Sequence, residues 1–97
     1  MQPHVKNYLE SIGNPTYIKC ELCQSVAVEI HHVVPRSKFG SKRKKEQNEP
    51  TNLIAVCRKC HEDCHANKHT KDKLLQIAKK RDIHFKNIKS NLVRDNQ

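Results

Sequence analysis

Tryptophan is absent from this 97-residue sequence, which has only two tyrosines, two phenylalanines, two glycines and one methionine. A chain of this length buries only about 60–65 % of its unfolded surface. With 35 % hydrophobic and 4 % aromatic residues, apolar packing alone would barely offset the conformational entropy of folding. Some further cross-link is therefore expected. No run approaches the roughly 18 apolar residues of a membrane span, and residues 1–13 lack the apolar centre of a secretory leader. These absences lead us to expect one soluble, unexported, cytoplasmic domain over residues 1–97. Acidic residues are also scarce, ten against nineteen Lys and Arg, and the formal charge of +9 makes a polyanion the default partner. Nucleic acid comes first and an anionic membrane surface second.

Cysteine is plentiful by comparison. Four of the five form two Cys-x-x-Cys pairs, Cys20/Cys23 and Cys57/Cys60. In a reducing compartment such pairs argue for metal over disulfides, and four thiolates match the tetrahedral coordination of Zn²⁺. A structural zinc held by Cys20, Cys23, Cys57 and Cys60 would tie the N-terminal third to the middle of the chain and couple metal binding to folding. Cys64, the odd one, reads as a small buried side chain.

Pro3 opens a short helix over residues 3–13, with Val5, Tyr8, Leu9 and Ile12 on one face and Gly13 as its stop. Val26, Ala27, Val28, Glu29 and Ile30 read as a strand that delivers His31 and His32 at its end. Residues 36–52 carry charges, Pro50 and Gly40 but no apolar period, and read as a long polar loop. A second strand, Leu53, Ile54, Ala55 and Val56, runs into the second cysteine pair and then a helical stretch bearing His61 and His65. Thr70 suits the N-cap of a further helix reaching Arg81. Residues 82–97 suggest a loop and a last helix, so that residues 70–97 form a basic helical extension.

The seven histidines are unevenly placed. His31 and His32 are adjacent on extended chain and point to opposite sides, so one can bind a metal while the other remains free as a base. His61 and His65, four apart on a helix, project from one face and can share an ion. His4, His69 and His84 read as ordinary solvated or core residues, although His69 could compete as a ligand if the helix ran on through Asn67.

The run Glu29-Ile30-His31-His32-Val33-Val34-Pro35-Arg36-Ser37, followed by Asn52-Leu53-Ile54-Ala55-Val56-Cys57-Arg58-Lys59-Cys60-His61 and then His65, resembles the HNH nuclease motif. The resemblance spans residues 20–65 and implies a small α+β, zinc-stabilised fold: a ββα-metal, treble-clef-like core with flanking helices. It implies that His32 is the general base and that Asn52 braces the hairpin loop. His31, His61 and His65 would hold one catalytic divalent metal, a set closer to the nuclease colicins than to members with Asp at the first ligand. His61, the last letter of the motif, counts with His32 and Asn52 among the implied catalytic residues.

The activity this resemblance implies is that of an endodeoxyribonuclease that hydrolyses DNA phosphodiester bonds, nicking or cutting duplex. It also implies 5′-phosphate and 3′-hydroxyl products. The catalytic ion is drawn from Mg²⁺, Mn²⁺, Ni²⁺ and Zn²⁺, and three imidazoles suit Zn, Ni, Co or Mn better than Mg. Arg36, Lys38, Lys42, Arg43, Lys44 and Lys45, with no acid among residues 36–45, would contact DNA phosphates, and nine more basic residues lie from Lys68 to Arg94. No device for reading bases is visible, so little sequence specificity is expected. No membrane and no small-molecule cofactor is expected. Small size leans toward a phage or mobile-element origin, with a homodimer or a phage packaging partner as associations. The competing reading is a zinc-stabilised nucleic-acid-binding module without activity.

Overall fold

The computed structural model describes residues 2–38 and 43–95; Lys42 lies outside them, as do the side chains of Arg36, Lys44 and residues 89–95. The first helix, α1 (Pro3–Ser11), starts with proline in the turn where a backbone N–H would have no helical acceptor. Gly13 ends it at φ +86°, and the Asn14 N–H donates to Leu9 O at 2.8 Å. A Cβ at position 13 would meet nothing within 4 Å, so the backbone angle, and not crowding, calls for glycine.

The chain then folds into a knuckle around Cys20 and Cys23. The Cys20 N–H donates to Ser25 O (2.6 Å) and the Gln24 N–H to Cys20 O (3.0 Å), with Gln24 at φ 71°. Lys19 and Val26 form a single antiparallel bridge, and the Ala27 N–H donates to Ile18 O. This return path corrects the expected strand over residues 26–30. Val26 and Val28 are 60 % and 67 % exposed, and regular pairing starts only at β1 (Glu29–His32). His31 and His32 are the last two residues of that strand, at its end as expected.

Strand β1 pairs antiparallel with β2 (Leu53–Val56), in the register Glu29–Val56, Ile30–Ala55, His31–Ile54 and His32–Leu53. Side chains alternate across such a pair. Ile30, Leu53 and Ala55 pack with Tyr8 of α1 on one face, while Ile54 and Val56 pack with Cys20, Val33, Cys60, Cys64 and Leu74 on the other. All four β2 residues are buried, which explains an unbroken apolar run in place of an alternating one.

Between the strands, the expected irregular loop contains short helical turns: 3-10 turns at Arg36–Lys38 and Pro50–Asn52, and a helix α2 (Lys44–Gln47). No apolar period announces them because polar contacts hold them. Arg43 Nε donates to Glu46 Oε2 at 2.8 Å, and Asn52 Nδ2 to Gln47 O at 3.0 Å. Helix α3 (Arg58–His65) follows β2 directly.

Helix α4 (Lys71–Asp95) begins as expected, with Thr70 Oγ1 accepting from the Lys73 N–H at 3.1 Å. It does not end at Arg81. The helix is continuous to Asp95, so the expected break after Arg81 is corrected. Asp82 continues the helix and pairs with Lys86 four residues on, at 3.0 Å. Among the described residues no helix is long and apolar enough to cross a membrane.

Arg81, in the interior of α4, reaches a polar junction that joins most of these elements. Glu21 Oε2, in the knuckle, accepts from Arg81 Nη1 (2.7 Å), the Tyr8 hydroxyl (3.0 Å) and the Ala55 N–H (2.8 Å). Arg81 Nη1 also donates to Leu53 O (2.8 Å) and Nη2 to Pro50 O, while the guanidinium lies 4.6 Å from the centre of the Tyr8 ring. The Arg81 and Glu21 side chains are 8 % and 14 % exposed. Burial, then the Glu21 carboxylate, push the Tyr8 phenol well above its usual pKa. Removing one partner of a buried ion pair strands the other charge, at a cost of roughly 3–5 kcal/mol, whereas replacing both is nearly neutral. Arg81→Met is therefore expected to lower stability by about that amount in urea unfolding. Adding Glu21→Gln, which keeps an acceptor for the Ala55 N–H, should recover most of it; a double variant as unstable as the single one would contradict this reading.

Candidate metal centres and nuclease site

Helix α3 and its N-cap carry two of the four residues of one ligand cluster and two of the three of another. At its start, Cys57 is the N-cap and Cys60 lies in the first turn. The Sγ atoms of Cys20, Cys23, Cys57 and Cys60 all lie within 4.8 Å of one another, and those of Cys23 and Cys57 are 3.6 Å apart. Four thiolates about 2.3 Å from one zinc would be separated by about 3.8 Å, so the spacing fits the ion. The Cys60 N–H donates to Cys57 Sγ (3.4 Å) and draws that thiol down to about pKa 6. The Ser25 hydroxyl, 2.9 Å from Cys23 Sγ, lowers Cys23 as well. Burial pushes Cys60 up, which an ion at this site would reverse. Cys64 stays out of the cluster and packs in the core, as expected, its thiol raised by burial.

In the second half of α3, His61 and His65 face His31. One ring nitrogen from each lies within 4.8 Å of the others, and the Nε2 atoms of His61 and His65 are 3.0 Å apart. Imidazole nitrogens about 2.0–2.1 Å from a zinc-sized ion stand roughly 3.3 Å apart, a spacing that the His61–His65 pair approaches. His61 Nδ1 donates to Glu29 Oε2 at 2.7 Å, leaving Nε2 as the nitrogen with a free lone pair. Burial first, then the neighbouring His61, His65 and His32, hold His31 down to about pKa 4. At neutral pH its ring is an uncharged donor. Glu29 is the residue that reasoning on ligand types missed; its position two before His31, on the same strand face, was the available signal.

His32 lies in the same open cleft of about 470 Å³ as His31, His61 and His65, and His4 joins them from α1. The His4 and His32 ring centres are 4.5 Å apart. Asn52 is buried under the hairpin loop, where its Oδ1 accepts from the Val34 N–H (2.9 Å) and its Nδ2 donates to Val34 O (3.2 Å) and Gln47 O (3.0 Å). It therefore spans both ends of the loop. His69 stays outside the histidine cluster, because α3 ends at His65 and the chain turns at Asn67 (φ 59°); its Nδ1 lies 3.4 Å from Lys73 Nζ.

The basic residues of the loop are less gathered. Lys38, Arg43 and Lys45 are exposed, and Arg43 is paired with Glu46. Lys45 lines a neighbouring cleft between α1 and α2, together with Asn7 and Asn48. None of these three lines the histidine cleft. Lys42 and the side chains of Arg36 and Lys44 lie outside the described residues.

Residues 20–71, just over half the sequence, match the family model of the HNH endonucleases, and the chain belongs to that family. The matched segment contains the knuckle, both strands, α3 and both ligand clusters. Among curated proteins, a mitochondrial DNA mismatch repair protein mutS homolog from Sarcophyton glaucum is 39 % identical over 49 residues, covering 50 % of this chain and 5 % of that protein. The chain thus spans a small fraction of that relative's length. No solved structure matches the chain at a significant level.

A structural zinc at the four thiolates would contribute folding energy outright, on the order of 10–16 kcal/mol for small zinc modules. Purified protein is expected to carry one tightly held zinc by elemental analysis, and stripping it with a strong chelator should unfold the chain by circular dichroism. A metal-free protein with an unchanged melting curve would show that the thiolates do not support the fold through metal.

Proposed function

We propose that this chain is a metal-dependent HNH endonuclease that hydrolyses phosphodiester bonds of duplex DNA by nicking or cutting. The observation that carries this reading is the strand alternation at His31 and His32, which sends one ring to the α3 histidines and leaves its neighbour in the same cleft outside the ligand set. His31, His61 and His65 would hold the divalent cation. When bound, that ion supplies Lewis-acid charge for the scissile phosphate and the departing 3′ oxygen. His32 takes the proton from the attacking water, and Asn52, by holding Val34 and Gln47 together, fixes the loop beside it. Three imidazoles form a borderline donor set that suits Zn²⁺, Ni²⁺, Co²⁺ or Mn²⁺ better than Mg²⁺.

DNA as the polymer is supported by family membership and the formal charge of +9. The mutS homolog's name, which refers to DNA mismatch repair, points the same way. Lys38, Arg43 and Lys45, with Arg36, Lys42 and Lys44, would contact backbone phosphates, which position a duplex without reading its sequence. One histidine cluster among the described residues makes nicking the elementary event, and cutting both strands would take a homodimer or two visits.

His32→Ala separates catalysis from binding. Nicking of supercoiled plasmid in the presence of Mn²⁺, Ni²⁺ or Zn²⁺ should fall by at least roughly 100-fold, in keeping with the loss of a general base, while DNA affinity and the melting temperature stay near those of the wild type. Undiminished nicking would show that His32 is not the base. Wild-type protein that shifts DNA in a gel but cuts none under any of these metals would favour an inactive binding module.

A further inference from the structure

The ring of His32 is held from two sides, by His4 from outside the family match and by Asn48 from within it. On one side stands His4, buried in α1, its ring tilted 42° against that of His32. On the other, His32 Nε2 lies 2.9 Å from Asn48 Oδ1. Asn48 is itself pinned. It caps the C-terminus of α2, its N–H donates to Lys45 O (3.2 Å), and its carbonyl accepts from Asn7 Nδ2 of α1 (3.0 Å). The preceding carbonyl, that of Gln47, accepts from Asn52 Nδ2, and the following one, that of Glu49, accepts from the Asn52 N–H (2.8 Å). Three successive carbonyls around the Asn48 side chain are thus fixed by two asparagines from other elements.

We propose that Asn48 is a positioning residue for His32: its amide oxygen keeps the imidazole proton on Nε2 and leaves the Nδ1 lone pair to take the proton of the attacking water. A carbonyl oxygen only accepts, so the nitrogen facing it must carry hydrogen, and in a neutral imidazole the other nitrogen is then unprotonated. The reverse amide orientation would present an NH₂ donor to Nε2, drive the proton to Nδ1 and remove the base. Asn52 therefore acts on His32 through Asn48 as well as through Val34, and α1, which precedes the family match, takes part in the site through His4 and Asn7. This proposal rests on the reading of His32 as general base.

Two variants test it. Asn48→Leu keeps the size of the side chain and removes the acceptor, and Asn48→Asp retains an acceptor in the same place. Asn48→Leu should lower kcat for plasmid nicking roughly 10- to 100-fold, a part of what a general base contributes, with KM and melting temperature little changed. Asn48→Asp should restore most of the lost rate. Long-range ¹H–¹⁵N spectra should show a water-protected His32 Nε2–H in the wild type and in Asn48→Asp, lost in Asn48→Leu. A wild-type His32 protonated on Nδ1, an Asn48→Leu protein with unchanged kcat, or a change confined to KM would overturn the proposal. If His32→Ala still cuts, the base reading falls and this proposal with it. If His32→Ala is inactive while Asn48→Leu is fully active, this proposal alone falls.

Discussion

One carboxylate oxygen, Glu21 Oε2, gathers the elements that carry the chemistry. It accepts from α1 through the Tyr8 hydroxyl, from β2 through the Ala55 N–H and from α4 through Arg81, and it does so between the two cysteines of the knuckle. Arg81 extends the junction to the carbonyls of Leu53 and Pro50, at the entrance to β2. Charge-assisted hydrogen bonds at low exposure contribute roughly 1.5–3 kcal/mol each, which is large beside the few kcal/mol that a thin core leaves. The junction holds the knuckle against β2, and β2 runs directly into the helix that contributes to both ligand clusters.

That helix links structure to chemistry. Cys60 and His61 are neighbours in α3, one belonging to the thiolate cluster and the other to the histidine cluster. An ion on the four sulfurs would fix the start of the helix against the knuckle, and with it the direction in which His61 and His65 project toward His31. Strand alternation does the rest. Because side chains in β1 point to opposite faces, His31 joins the α3 histidines while His32 meets α1. Two adjacent residues of one type can thus take unlike tasks without any special turn, which is why the strand itself, and not a loop beyond it, suits them.

Much of this is legible in the residues, for reasons that differ from place to place. The cysteine pairs, the apolar run of residues 53–56 and the four-residue spacing of His61 and His65 each state a geometry within a short stretch of chain. Thr70 and Gly13 mark helix ends by local backbone chemistry. The start of β1 is not legible, because the knuckle draws Val26 toward Lys19, a pairing that β-branched composition cannot show. Nor is the length of α4, because the basic residues before Asp82 look like a helix end, although Arg81 is there to reach Glu21, sixty positions away. Asn48 carries no signal at all: its role depends on the bonds that Asn7 and Asn52 make to the backbone around it.

The proposed chemistry depends on the thiolate cluster and α3 holding His31, His61 and His65 ready for a second metal ion. The most direct measurement is a Co²⁺ titration of the zinc-loaded protein, followed by absorption and by histidine-ring NMR. One further equivalent should bind, with the ring signals of His31, His61 and His65 broadened most strongly. Absence of a second binding event, or broadening centred on His69 or His84 instead, would contradict that arrangement.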